Sequence, residues 1–225
     1  MRGSDGEAES TAPDGWPVAL RGVTESVVTT RGPNDRWNVA ALGLHAPDGS
    51  DDSDDSADTD APANPVTART YGRTRTWRNF VERGGGVVQF TTDPRTFVDA
   101  ALTVREVDEP VIPTADAWVE VTVEAVASET DGDTTIRTWA LDPAESAVVR
   151  ECVPTVNRGF GAVVGATVAA SRLDVSGSDT AKLLDRLRYF ADVVDRCGGP
   201  AEREAFAAID DATGWRERAE GDETR

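Results

Sequence analysis

The sequence predicts an α+β protein, an antiparallel β-barrel followed by a helical C-terminal domain. Three observations carry that reading. Runs rich in Val and Thr, with apolar residues at alternate positions, recur through roughly the first two thirds of the chain. The later runs are joined by short turn compositions, which implies an antiparallel meander able to close on itself. After Pro154, apolar residues take a helical spacing instead.

In order, residues 1–15 are polar without apolar periodicity and read as a disordered tail. Arg21 to Thr30 and Trp37 to His45 form a hairpin across the turn Arg31-Gly32-Pro33-Asn34-Asp35. Residues 48–64, almost all Asp, Ser, Ala or Pro, cannot bury enough surface to offset their ordering entropy and read as a disordered acidic insertion. Pro65 to Tyr71 is a strand, and Thr74 to Arg83 a short helix ended by Gly84-Gly85-Gly86. Val87 to Thr92 is the next strand; Asp93-Pro94 then caps a helix over Arg95 to Leu102. Trp118 to Ala127, Thr134 to Leu141 and Ser146 to Val153 are three further strands, with Asp131-Gly132-Asp133 and Asp142-Pro143 as their turns. Helices over Asn157 to Leu173 and Ser178 to Cys197 precede a stop at Gly198-Gly199-Pro200 and a last helix from Ala201 to about Thr213. The expected domains are a barrel over 16–154 and a helical domain over 155–218, with a second disordered tail at 219–225.

Charge restricts the partners. Forty-one acidic residues face twenty-three basic ones, a formal charge of −18, and only Lys182 is a lysine. Such a surface repels phosphate backbones and anionic lipid, so neither nucleic acid nor membrane is an expected partner. The composition is that of a cytoplasm at molar salt, as in an extreme halophile, where charges are screened beyond about 3 Å. No run approaches the about 20 apolar residues of a membrane span, and a cytoplasmic location is expected. Cys152 and Cys197 read as reduced thiols in packed positions. His45 is the single histidine, so histidine catalysis or a histidine-rich metal site would lack partners, and an exposed loop residue is the plainer reading.

Asn, Thr and Arg gather in two places: Asn38-Val39-Ala40-Ala41-Leu42-Gly43, and Tyr71-Gly72-Arg73-Thr74-Arg75-Thr76-Trp77-Arg78-Asn79 at a strand-to-helix junction. A helix start flanked by hydroxyls and guanidinium groups suits a phosphate, with Arg73 and Arg75 as bidentate donors. The alternative is structural, with Thr74 capping the helix and the arginines pairing with surface carboxylates.

The order of Glu25-x-x-x-Thr29-Thr30, Asn38-x-Ala40, Thr74-x-Thr76-x-x-Asn79, Val87-Val88-Gln89-Phe90-Thr91 and Asp93-x-x-x-Phe97-Val98 resembles an archaeal family of unknown function. The likeness continues in Asn157-Arg158-Gly159 and Gly198-Gly199. The N-terminal domain of that family is an FMN-binding split β-barrel related to flavin reductases. The resemblance implies FMN as cofactor and a homodimer with the flavin near the subunit boundary. It places the phosphate around Arg73, Thr74, Thr76 and Asn79, and the isoalloxazine beside the strand that carries Asn38, Ala40 and Gly43. Gln89 stands where the family pattern has asparagine, and it too is a candidate flavin contact. A flavin-dependent oxidoreductase is the function this implies, without a substrate or a named catalytic residue; the alternative is a flavin-binding carrier or regulatory module without turnover.

Overall fold

The computed structural model describes residues 13, 15–47, 65–153, 155–175 and 177–223. The insertion at 48–64 and nearly all of the N-terminal tail lie outside them. The strands are β1 (Val23–Arg31), β2 (Trp37–His45), β3 (Val66–Tyr71), β4 (Gly85–Phe90), β5 (Arg105–Val107), β6 (Ala117–Asp131) and β7 (Thr134–Val148). The helices are α1 (Arg75–Arg83), α2 (Pro94–Leu102), α3 (Arg158–Ala170), α4 (Thr180–Cys197), α5 (Pro200–Thr213) and α6 (Trp215–Glu223). The strands pair antiparallel in the order β1-β4-β6-β7-β3-β2, and β2 returns to β1, so the sheet closes as a barrel. Alternation fills it: Val28, Leu42, Leu44, Ala68, Val88, Val119 and Trp139 share one interior cluster with Phe80 of α1. Closure leaves few free edges.

Besides the short β5, which the sequence did not announce, three elements differ from the sequence expectation. Asp142-Pro143 is not a turn: β7 runs through it, with Asp142 opposite Thr122 and Pro143 opposite Val121. The register slips between Val119 and Val121, and this bulge admits a proline, which has no N–H for the ladder. Of the three glycines after α1 only Gly84 is a stop, in the left-handed conformation at φ 68°. Gly85 and Gly86 begin β4, where a Cβ would stand 2.5 Å from the Val121 carbonyl oxygen and 2.7 Å from that of Thr29. Finally, α6 continues past residue 218, with Trp215 and Ala219 buried in the helical core. Cys152 is exposed rather than packed, and Cys197 is half-buried.

The helical core is not confined to the C-terminal part. Val98 of α2 belongs to it, while Ala100 of the same helix packs with Val27 and Val39 on the outer wall of the barrel. One helix therefore couples both cores. Asn157 caps α3 through its Oδ1, which accepts from Gly159 and Phe160, and donates from Nδ2 to Glu202. Gly199 N–H also donates to Glu202. This latch presses α3 onto the α4–α5 break, where a Cβ on Gly159 would lie 2.5 Å from Gly198 Cα.

A paired test follows. Gly159→Ala is expected to destabilise by about 1–3 kcal/mol, because backbone must move to admit the methyl. Gly161→Ala, in the same helix with nothing within 4 Å of the added carbon, is expected to stabilise by about 0.5–1 kcal/mol. Denaturant midpoints decide, and equal signs for the two variants would contradict the packing.

Candidate functional site

Strand β2 is paired along its whole length with β1 but not along its other edge. There, Trp37 to Val39 pair with β5, and Leu44 and His45 pair with β3. From Ala40 to Gly43 that edge has no partner strand, so the barrel is split at this point. Two cavities lie at the two ends of the gap.

The first, of about 280 Å³, sits between the β1–β2 turn and α1 and is lined by Asn34, Asn38, Arg75, Arg78, Asn79 and Glu106, with Gly32 and Pro33. The turn is anchored beside it, since Asn34 Nδ2 donates to Glu106 Oε2 at 3.0 Å and Arg36 Nε to Asp108 at 3.0 Å. Arg75 Nη1 reaches Glu106 Oε1 at 2.7 Å. Among the described residues the Arg78 guanidinium has no ion pair or hydrogen bond. Two guanidiniums against one carboxylate leave this pocket positive in a chain of −18. Asn79 is fixed by donating from Nδ2 to Thr30 Oγ1 at 2.9 Å.

The second cavity, about 380 Å³, opens where β3 leaves β2, between the barrel wall and helices α2 and α3. Glu25, Gly43, His45, Arg69, Tyr71 and Arg172 bring its polar and open wall; Ala41, Phe97 and Ala101 bring an apolar one. Burial pushes the Glu25 carboxyl above its ordinary value, against the lowering pull of His45. His45 is thus half-buried at a strand end in a cavity wall, not an exposed loop residue.

The sequence-selected residues divide between these places. Asn38 and Asn79, far apart in the chain, meet at the first cavity, and Gly43 lines the second. Ala40 points the other way, into the barrel core, so it can offer a cavity only its backbone. Thr74 Oγ1 accepts from Trp77 N–H at 3.1 Å, and so caps α1. Thr76 is buried on the inner side of that helix. Arg73 stacks on Trp77, 5.6 Å from the ring centroid, and lines neither cavity. Gln89 is wholly buried and engaged: it donates to Thr29 Oγ1 and the Pro110 carbonyl and accepts from Ile112 N–H at 2.7 Å. The residue passed over was Arg78, although it stands one helical turn after Thr74 and therefore on the same side of α1.

Residues 24–150 match a family described as "Protein of unknown function (DUF447) N-terminal domain", and residues 157–211 match its companion, "Protein of unknown function (DUF447)". The chain belongs to this family. Its fold is similar to the crystal structure of an FMN-bound protein of the family from Methanosarcina mazei, at a TM-score of 0.66 and 23% identity over 86% of this chain and 96% of that one. More distant are an FMN-binding protein from Thermus thermophilus with bound p-hydroxybenzaldehyde (TM-score 0.37, 15% identity, 66% and 82% covered) and a flavin reductase complexed with NADP+ (TM-score 0.38, 15% identity, 58% and 81% covered). No curated protein matches the chain. The family likeness at the higher TM-score shows the split barrel with its helical companion. Among the described residues no helix is long and apolar enough to cross a membrane.

Proposed function

We propose that the protein binds FMN across the split, with the phosphate at the cavity of Asn38, Arg75, Arg78 and Asn79 and the isoalloxazine beside the edge from Ala40 to Gly43. The observation that carries this is the juxtaposition of an unpaired strand edge with a positive pocket in a strongly acidic chain. Backbone groups on an unpaired edge need partners, and the polar rim of a flavin offers them. Arg78 and Arg75 match phosphate geometry with paired N–H donors. Thr74, Thr76 and Arg73 serve the same site indirectly, by starting α1 and holding its first turn. The FMN-bound family member supports the choice of flavin.

Bound flavin supplies hydride or electron transfer, and the protein supplies orientation and access. The reading extends to an oxidoreductase in a homodimer, as the resemblance implies. Anaerobic bleaching of the bound flavin by reduced nicotinamide nucleotide would support a reductase, and its absence would favour a carrier. Affinity tests the phosphate placement. FMN is expected to bind at least about tenfold tighter than riboflavin, at about 1.5–3 kcal/mol for each charge-assisted hydrogen bond. Equal affinities in fluorescence titration would remove the phosphate from this pocket, and no binding of either would remove the flavin.

A further inference from the structure

The second cavity joins groups that the phosphate pocket does not use. Arg69 comes from β3 and Arg172 from the end of α3, so the barrel and the helical unit each contribute a cation to one space. Among the described residues neither guanidinium has an ion pair or a hydrogen bond, nor do the side chains of His45 and Tyr71. In a chain with 41 acidic residues, two unpaired cations facing one cavity are an unspent recognition element. Ala41, Phe97 and Ala101 give the same cavity an apolar part. Small side chains at Ala41, Gly43 and Ala101 leave the space that a flat ring needs.

We propose that this cavity binds a small organic carboxylate with an apolar ring body, its carboxylate held by Arg69 and Arg172 and its ring against Phe97, Ala41 and Ala101. A guanidinium pair suits one carboxylate, whose two oxygens accept the parallel N–H bonds. A doubly charged phosphate meets about twice the repulsion from Glu25 that a singly charged carboxylate does, so the cavity favours the carboxylate. The helical unit acquires a role: without Arg172 the site is half built. The chemistry stands on the cavity alone. Its place in a reaction rests on the flavin reading, since Gly43 ends the unpaired edge and the ligand would lie beside the flavin as its reaction partner.

Ligand-observed fluorine NMR with 4-fluorobenzoate tests the site on the full chain, with 4-fluorobenzamide as the uncharged analogue and inorganic phosphate as competitor. Broadening of the benzoate line by wild type, little effect of the amide or of phosphate, and at least tenfold weaker binding in Arg69→Gln/Arg172→Gln are expected. The double variant should melt as wild type does, because both residues are exposed. Equal binding of the amide, full displacement by phosphate, or unchanged binding in the double variant would overturn the proposal. With saturating FMN the benzoate signal should persist; its loss would assign the cavity to the flavin ring and overturn the proposal also. A chain that binds benzoate through these arginines but takes up no FMN keeps the site and refutes the flavin reading alone.

Discussion

With Arg75 and Arg78 both replaced by glutamine, FMN affinity is expected to fall by at least about a hundredfold while the melting temperature hardly moves. Two charge-assisted bonds at about 1.5–3 kcal/mol each give that loss. Arg75→Gln adds to it, because Glu106 loses its cation at 2.7 Å and its carboxylate then faces the phosphate directly. Stability is little affected, since Arg78 has no ion pair and the Arg75–Glu106 pair is partly exposed, a kind of pair worth about 0–1 kcal/mol. Isothermal titration at one fixed salt concentration measures the effect. An affinity within threefold of wild type would show that the phosphate is held elsewhere.

Gln89→Ala is expected to have the opposite profile, a loss of roughly 3–6 kcal/mol of stability with little change in FMN affinity for the protein that remains folded. The side chain is wholly buried, and its truncation opens a cavity, which costs about 2–5 kcal/mol for residues of this size. It also orphans Ile112 N–H, at about 1–3 kcal/mol for an unsatisfied buried donor, whereas the Pro110 carbonyl keeps its bond from Thr29 Oγ1. The terms overlap, because a water entering the cavity can satisfy the amide. Urea unfolding and FMN titration of one preparation separate the two readouts. A stable variant that has lost FMN would return Gln89 to the flavin site.

Much of this fold is legible in local chemistry. β2 runs from Trp37 to His45 as its alternation says, and α1 and α2 begin at their Thr74 and Asp93 caps because a side-chain oxygen there meets a free N–H. What was not legible depends on distant partners. Asp142-Pro143 has turn composition, yet the bulge in β6 lets the strand pass through it. β5 is three residues long and exists only because β2 offers it an edge. The tail at 219–225 looks polar, but Trp215 and Ala219 bury against the other helices and carry α6 along. At the candidate site, residue types singled out Asn38, Asn79 and Gly43, and closure of the barrel set them around two cavities. Ala40 faces into the barrel and Gln89 lies opposite Val27 on the outer wall, buried beneath the segment of Pro110 and Ile112, which only the register of β1, β2 and β4 decides. Arg78 was hidden among neighbouring arginines, and its distinction, a guanidinium without a partner, is a property of three dimensions.

The strand order also governs how the chain reaches this state. The pairs β1–β2 and β6–β7 are hairpins that form from neighbours in sequence, but β1–β4 and β3–β7 join residues as far apart as Val27 and Gln89 or Val66 and Leu141. Non-local pairings of this kind place folding in the slow range, about milliseconds to seconds, whereas the helical unit has local contacts and forms early. During synthesis the barrel cannot shut until β7 has emerged, so a nascent chain halted before residue 134 carries open edges on β3 and β6. The last strand of the barrel is thus the one that ends its exposure to self-association, and a stall at that point is where aggregation on the ribosome would begin.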